Sequence, residues 1–140
     1  MLRGTVRYLD EDNEEPAYEA MKKITRGIET SSDVECTLDY LYDYPVTYNY
    51  PRKTQHVEDT LKKSVGSYID EVIHSKPFSG SEDFSYYLEK IPGTFINVGA
   101  KPEGMNEPYP HHHPKFLINE DSLLISAKTL GEVVPDRLEG

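Results

Sequence analysis

An α/β fold is predicted by two patterns that alternate along the chain. In some stretches apolar residues recur at every second position, and in longer ones they recur every three or four. A third observation is the mixed polarity, 36% hydrophobic and 29% charged residues, which is polar without being the composition of a disordered chain.

The first strand is expected over Leu2–Leu9, where Gly4, Val6 and Tyr8 alternate with Arg3, Thr5 and Arg7. After the acidic turn Asp10–Glu15, Pro16 suits a first helical position, and Ala17, Ala20, Met21, Ile24 and Ile28 follow at helical spacing, predicting a helix over Pro16–Glu29. From Val34 to Tyr44, Val34, Cys36, Leu38, Tyr40, Tyr42 and Tyr44 share one face of an extended segment, with Glu35, Thr37, Asp39 and Asp43 on the other. That predicts a long one-sided strand.

The pattern changes character at Tyr48–Arg52. Val57, Leu61, Val65 and Tyr68 then mark a helix over Thr54–Ser67, followed by a short strand near Glu71–His74. A Ser-Gly-Ser run opens onto a helix expected over Ser81–Lys90, with Glu82 and Asp83 complementing its dipole and Phe84, Tyr87, Leu88 and Ile91 as the buried face. Thr94–Val98 reads as a compact strand, and Lys101–Pro110 as a loop. Asn119 caps a last helix, expected over Asn119–Val133, with Leu123, Leu124, Ala127, Leu130 and Val134 along its inner stripe.

Composition narrows the partners. With 15 Lys plus Arg against 25 Asp plus Glu, the formal net charge of -10 disfavours nucleic acid and anionic membrane. No apolar run approaches the ~20 residues of a membrane span, and the single cysteine, Cys36, cannot form an internal disulfide. A cytoplasmic location is the expectation.

Tyr109–Phe116 (YPHHHPKF) places His111, His112 and His113 between two prolines. Successive residues of an extended segment point to opposite sides, so all three cannot bind one ion. A zinc site needs roughly three or four protein ligands, and no His-Glu-x-x-His or Cys-x-x-Cys supplies the rest. Local chemistry alone therefore favours a surface histidine cluster with incidental metal affinity over a built site.

Several motifs in order supply further context: GTVR (Gly4–Arg7), YPVTYN (Tyr44–Asn49), GSEDFSYYL (Gly80–Leu88), IPGTFINVGA (Ile91–Ala100) and HHPKFLINEDSLL (His112–Leu124). Together they resemble the carboxyl-terminal part of the zinc-type amidohydrolases, the aminoacylase-related group that includes hippurate, N-acyl-amino-acid and indole-acetyl-amino-acid hydrolases. The resemblance implies a fragment of a two-domain metallo-amidohydrolase. Residues 1–48 would be the second half of a ferredoxin-like lid or dimerisation domain, and residues 49–140 the closing part of the α/β catalytic domain. It implies a divalent metal, zinc, manganese or cobalt, in the complete enzyme, and a small N-acyl amino acid or peptide as substrate.

Residue by residue, the resemblance makes His112 of the H-x-P-x-F motif a metal ligand, with His111 and His113 as neighbours. It makes Gly80 and Ser81 part of a loop approaching substrate, and Asn49 a lid residue reaching a substrate oxygen. Ser81 as a helix cap and Asn49 as a turn residue before Pro51 are the local alternatives. The family's other ligands and its Glu-Glu pair belong upstream of the matching segment. Glu14-Glu15 reads instead as solvated first-turn acids, and Cys36 as a buried small hydrophobe. This chain alone is therefore expected to bind metal weakly, to carry no complete catalytic set, and to self-associate or pair with the missing amino-terminal half. A non-catalytic interaction module, a truncated product without activity and a small histidine-rich metal-binding protein are the alternatives.

Overall fold

The computed structural model describes residues 1–138. They form a 3-10 turn, Glu11–Asn13, and four helices: α1 Glu14–Ser32, α2 Pro51–Lys62, α3 Ser85–Leu88 and α4 Asp121–Leu138. The chain divides into two compact units, Met1–Tyr48 with Ser75–Pro92, and Asn49–His74 with the residues from Gly93 onward.

The expected strands are not formed. Among the described residues the only β-type pairing is an isolated bridge between Val65 and Ile69, so the α/β expectation is corrected to a helical chain with long irregular connections. A strand exists through its ladder, and Leu2–Leu9, Val34–Tyr44, Glu71–His74 and Thr94–Val98 find no ladder partner among these residues. The period of two nevertheless leaves a trace in the first unit. Cys36, Leu38 and Tyr40 are half-buried while Glu35, Thr37, Asp39 and Leu41 are exposed. The half-buried side turns to α1, where the Cys36 N–H donates to Glu29 Oε1 at 3.0 Å. Tyr18 of α1 meets Tyr40 and Tyr42 with ring centroids 5.1 and 5.8 Å apart.

Local chemistry sets the ends of α1. Asp10 accepts from the Asp12 N–H at 3.1 Å at the start of the 3-10 turn, and Pro16 falls in the first turn, where its missing N–H costs nothing. At the other end Asp33 takes the left-handed conformation, φ 51°, and its N–H closes on the Glu29 carbonyl. That is the capping geometry glycine usually supplies and which aspartate tolerates. Ile24 and Ile28 stay 62% and 45% exposed, so the apolar stripe of α1 is largely uncovered.

In the same unit, helical turns run on both sides of α3, from the Ser85 N–H to Glu82 O bond through to the Ile91 N–H to Tyr87 O bond. Regular α-helix is confined to Ser85–Leu88, shorter than the expected Ser81–Lys90. Ser85 and Leu88 are buried, whereas Tyr87 and Ile91 are not.

In the second unit α2 begins at Pro51, the favoured first helical position. It buries Val57, Thr60 and Leu61 and stops at Lys62, short of the expected Ser67. The turn beyond it contains Gly66 at φ 83°, a conformation glycine adopts without strain. Asn119 Oδ1 accepts from the Asp121 N–H at 3.0 Å, the capping role its position implied for α4.

α2 packs on α4, but through the face opposite to the one expected. Ser122 and Thr129 are buried, and Ser64 Oγ donates to Glu132 Oε2 at 2.7 Å. Leu123, Leu124, Leu130 and Val134, read from the sequence as the inner stripe, are each 54–61% exposed. The buried residues of α4 are Ser122 and Thr129, those of α2 are Val57, Thr60 and Leu61, and the leucine stripe is left facing outward.

Candidate functional site

The histidine run folds as two consecutive tight turns. The His113 N–H donates to the Pro110 carbonyl at 3.2 Å, and the Phe116 N–H donates to the His113 carbonyl at 2.9 Å. Pro114 holds the second position of the second turn, where its fixed φ is favoured. His112 holds the third position of the first turn at φ 67°, a value typical of a type II turn and usually given to glycine or asparagine. A non-glycine residue held there carries roughly 1–2 kcal/mol of backbone strain, and such strain clusters at functional sites.

The turns give the three imidazoles different duties. His113 is half-buried, stacks on Tyr109 with centroids 4.4 Å apart and planes 12° from parallel, and accepts the Lys115 N–H at Nδ1 over 3.1 Å. A neutral imidazole whose Nδ1 accepts carries its proton on Nε2, so His113 has no lone pair to offer an ion in this conformation. His111 packs edge-on against Phe116, centroids 5.0 Å apart. His112 is exposed at the tip.

Asn49 belongs to the same unit, and its carboxamide is engaged at both ends. Nδ2 donates to the Phe95 carbonyl at 2.8 Å, and Oδ1 accepts the Phe95 N–H at 2.6 Å. Beside it the Tyr50 N–H donates to Gly93 O at 3.0 Å and the hydroxyls of Thr54 and Thr94 lie 3.1 Å apart. The side chain thus pairs with backbone as a strand neighbour would. Asn49→Ala should make the Phe95 amide exchange with solvent several-fold faster, a local loss of about 1 kcal/mol, with Leu61 unaffected. Hydrogen exchange followed by NMR checks this.

Gly80 and Ser81 lie in the other unit. Both are exposed and stand before α3 rather than in it, so Ser81 is not its cap. Ahead of α3, Glu82 receives the Phe84 N–H at 3.4 Å through its carboxylate and Ser85 Oγ–H through its carbonyl. A side chain at position 80 would strike the Phe78 ring, the built Cβ falling 2.5 Å from Cε2. Sequence reading gave no pairing to Arg7, whose Nη1 donates to the Ser79 carbonyl at 2.7 Å and so braces this loop. At a separation of 72 positions, nothing local signals the contact.

The acid pair at the start of α1 is also occupied. Tyr8 donates to Glu14 and Tyr42 to Glu15, at 2.5 and 3.0 Å. Desolvation, then the bond to Glu15, pushes the Tyr42 hydroxyl up to about 12. These carboxylates work as acceptors for phenols. No three His, Cys, Asp or Glu side chains converge on a metal-sized point among the described residues. The donor chemistry of the run is two exposed imidazoles, His111 and His112, the second on a strained turn, which does not make a complete metal site.

Residues 3–136 match the model of peptidase family M20/M25/M40, and the chain belongs to that family. It is 38% identical over 130 residues to the Bacillus subtilis protein named "Putative amidohydrolase YhaA", covering 93% of this chain and 32% of that one. Against "Thermostable carboxypeptidase 1" of Saccharolobus solfataricus the identity is 35% over 127 residues, covering 90% of this chain and 31% of the relative. A solved structure titled as a "putative aminohydrolase" from methicillin-resistant Staphylococcus aureus superposes with a TM-score of 0.73 at 42% identity, covering 90% of this chain and 32% of that one. The chain thus spans about a third of the length of these relatives. No helix among the described residues is long and apolar enough to cross a membrane.

Proposed function

We propose that this chain is a carboxyl-terminal part of a cytoplasmic, metal-dependent amidohydrolase that cleaves the amide bond of N-acyl amino acids or small peptides. The observation that carries the reading is a family match over residues 3–136 in a chain only a third as long as its relatives. In it, residues 1–48 are the second half of the lid and residues 49–140 close the catalytic domain. His112 contributes one ligand to a zinc, manganese or cobalt centre, while Asn49, Gly80 and Ser81 face substrate. The strain at His112 and the tautomer held by His113 support the choice of His112 within the run. The metal would polarise the amide carbonyl and activate water; the residues present here do not hold it unaided.

The test compares the purified chain, alone and with the portion of YhaA outside the aligned third, on N-acetyl and N-benzoyl amino acids with added zinc, manganese or cobalt. No turnover is expected from the chain alone, and turnover sensitive to a chelator is expected from the pair. Chelator-sensitive turnover by the chain alone overturns the ligand accounting. An inactive pair favours a second reading, a non-catalytic interaction module, which the unpaired segments Leu2–Leu9 and Val34–Tyr44 support.

A further inference from the structure

We infer that Tyr109 is a positioning residue: its ring, acting through His113, closes the turn that presents His112. The inference rests on the proposed reading of His112 as the ligand of the run. The turn runs from Pro110 to His113, with His112 third in it, so Tyr109 and His113 stand on either side of the strained backbone. Its closure is weak without them. One backbone hydrogen bond spans it, from the His113 N–H to Pro110 O at 3.2 Å, the long end of the N–H···O range. His112 lacks both the freedom of glycine and the short polar side chain of asparagine that make a φ of 67° tolerable. The Tyr109 and His113 rings stack 4.4 Å apart and 12° from parallel, joining the residue before the turn to its last residue. An aromatic pair contributes about as much as one left-handed residue costs, so the stack decides whether His112 keeps its conformation.

The same ring ties down the far side of the run. Lys115 brings its ammonium to 5.8 Å from the Tyr109 centroid, while its backbone N–H reaches His113 Nδ1 at 3.1 Å. Removing the Tyr109 ring therefore releases Lys115 and His113 together. His111 leans on Phe116 and keeps its own contact. Both contacts of Tyr109 are made by the ring and not by the hydroxyl, so phenylalanine replaces it and alanine does not. Asn49, Gly80 and Ser81, proposed to face substrate, lie outside these contacts, and a loss at Tyr109 should fall on kcat.

Two readouts test this, and the first needs no partner chain. Imidazole nitrogen NMR of the isolated chain at about pH 8, above the ordinary histidine range, should show His113 protonated at Nε2 with Nδ1 accepting. The carbon shifts of His112 should be those of a left-handed residue. Tyr109→Phe should keep both signatures, and Tyr109→Ala should give mixed His113 tautomers and conformationally averaged His112 shifts. In the enzyme reconstituted with the remainder of YhaA, Tyr109→Ala should lower kcat about tenfold with KM changed less than about twofold, the effect of a group that orients a ligand. Tyr109→Phe should restore kcat. Signatures that are missing from the native chain, or that persist in Tyr109→Ala, overturn the inference. So does a Tyr109→Phe variant that behaves as Tyr109→Ala, or a Tyr109→Ala enzyme with native kcat. An inactive native pair, with the signatures lost only in Tyr109→Ala, removes the enzymatic reading and leaves Tyr109 as the residue that holds the turn.

Discussion

Replacing His112 with alanine in the reconstituted enzyme should lower kcat/KM by more than about 100-fold, since even outer-shell partners of metal ligands are worth about 10–100-fold. The same substitution at His111 or His113 should cost less. The difference follows from the turn. His113 spends Nδ1 on the Lys115 N–H and its ring on Tyr109, so alanine there loosens the turn but removes no donor. His111 leans on Phe116 and contributes packing. His112 alone is presented by a left-handed backbone at the tip. His112→Gly separates the two roles of the residue: it relieves the positive φ, and stabilises the turn by roughly 1 kcal/mol, while still abolishing metal-dependent activity. Metal content measured beside the kinetics decides the matter, because a ligand variant loses both together. Equal losses at all three histidines would mean that the run acts only by holding the turn.

The features legible in the sequence were those that local chemistry decides. Asn119 capping α4 answers to the geometry of a few neighbouring residues; Pro16 falls in the first turn of α1, which begins two residues before it, and α2 begins at Pro51 rather than at the expected Thr54. Helix existence was readable for the same reason. The strands were not, because a period of two records which side of an extended segment is apolar and says nothing about whether another strand lies beside it. Val34–Tyr44 keeps its alternation and lacks its ladder. The stripe of α4 shows a related limit: the sequence identifies the apolar face, while the partner in hand is α2, which meets the serine and threonine face instead. At the candidate site, resemblance singled out Asn49 and His112. The Asn49–Phe95 clasp spans 46 residues, and the Arg7–Ser79 brace is also long-range, so no local pattern announces either.

Thermal unfolding of the isolated chain should show no cooperative transition. Among the described residues the buried hydrophobic side chains are Val57, Leu61 and Leu88, two in one unit and one in the other. A fully buried aliphatic side chain contributes about 1.5–3 kcal/mol, whereas ordering each residue's backbone costs about 1–2 kcal/mol, so one or two such side chains give neither unit a firmly packed core. Helical signal would survive, since α1 and α4 are long and capped by local bonds, while side-chain packing would fluctuate as in a molten globule. Calorimetry should therefore give a broad rise without a peak, and the chain should bind a hydrophobic dye. The unpaired segments should also draw copies together at high concentration, giving a light-scattering mass above that of a monomer, with repulsion between the acidic chains limiting how far this goes. On the proposed reading, adding the remainder of the family polypeptide should convert the broad rise into a sharp transition. A monomer whose calorimetric and van't Hoff enthalpies agree would mean that the few buried residues suffice, and that the exposed leucines of α4 are tolerated without a partner.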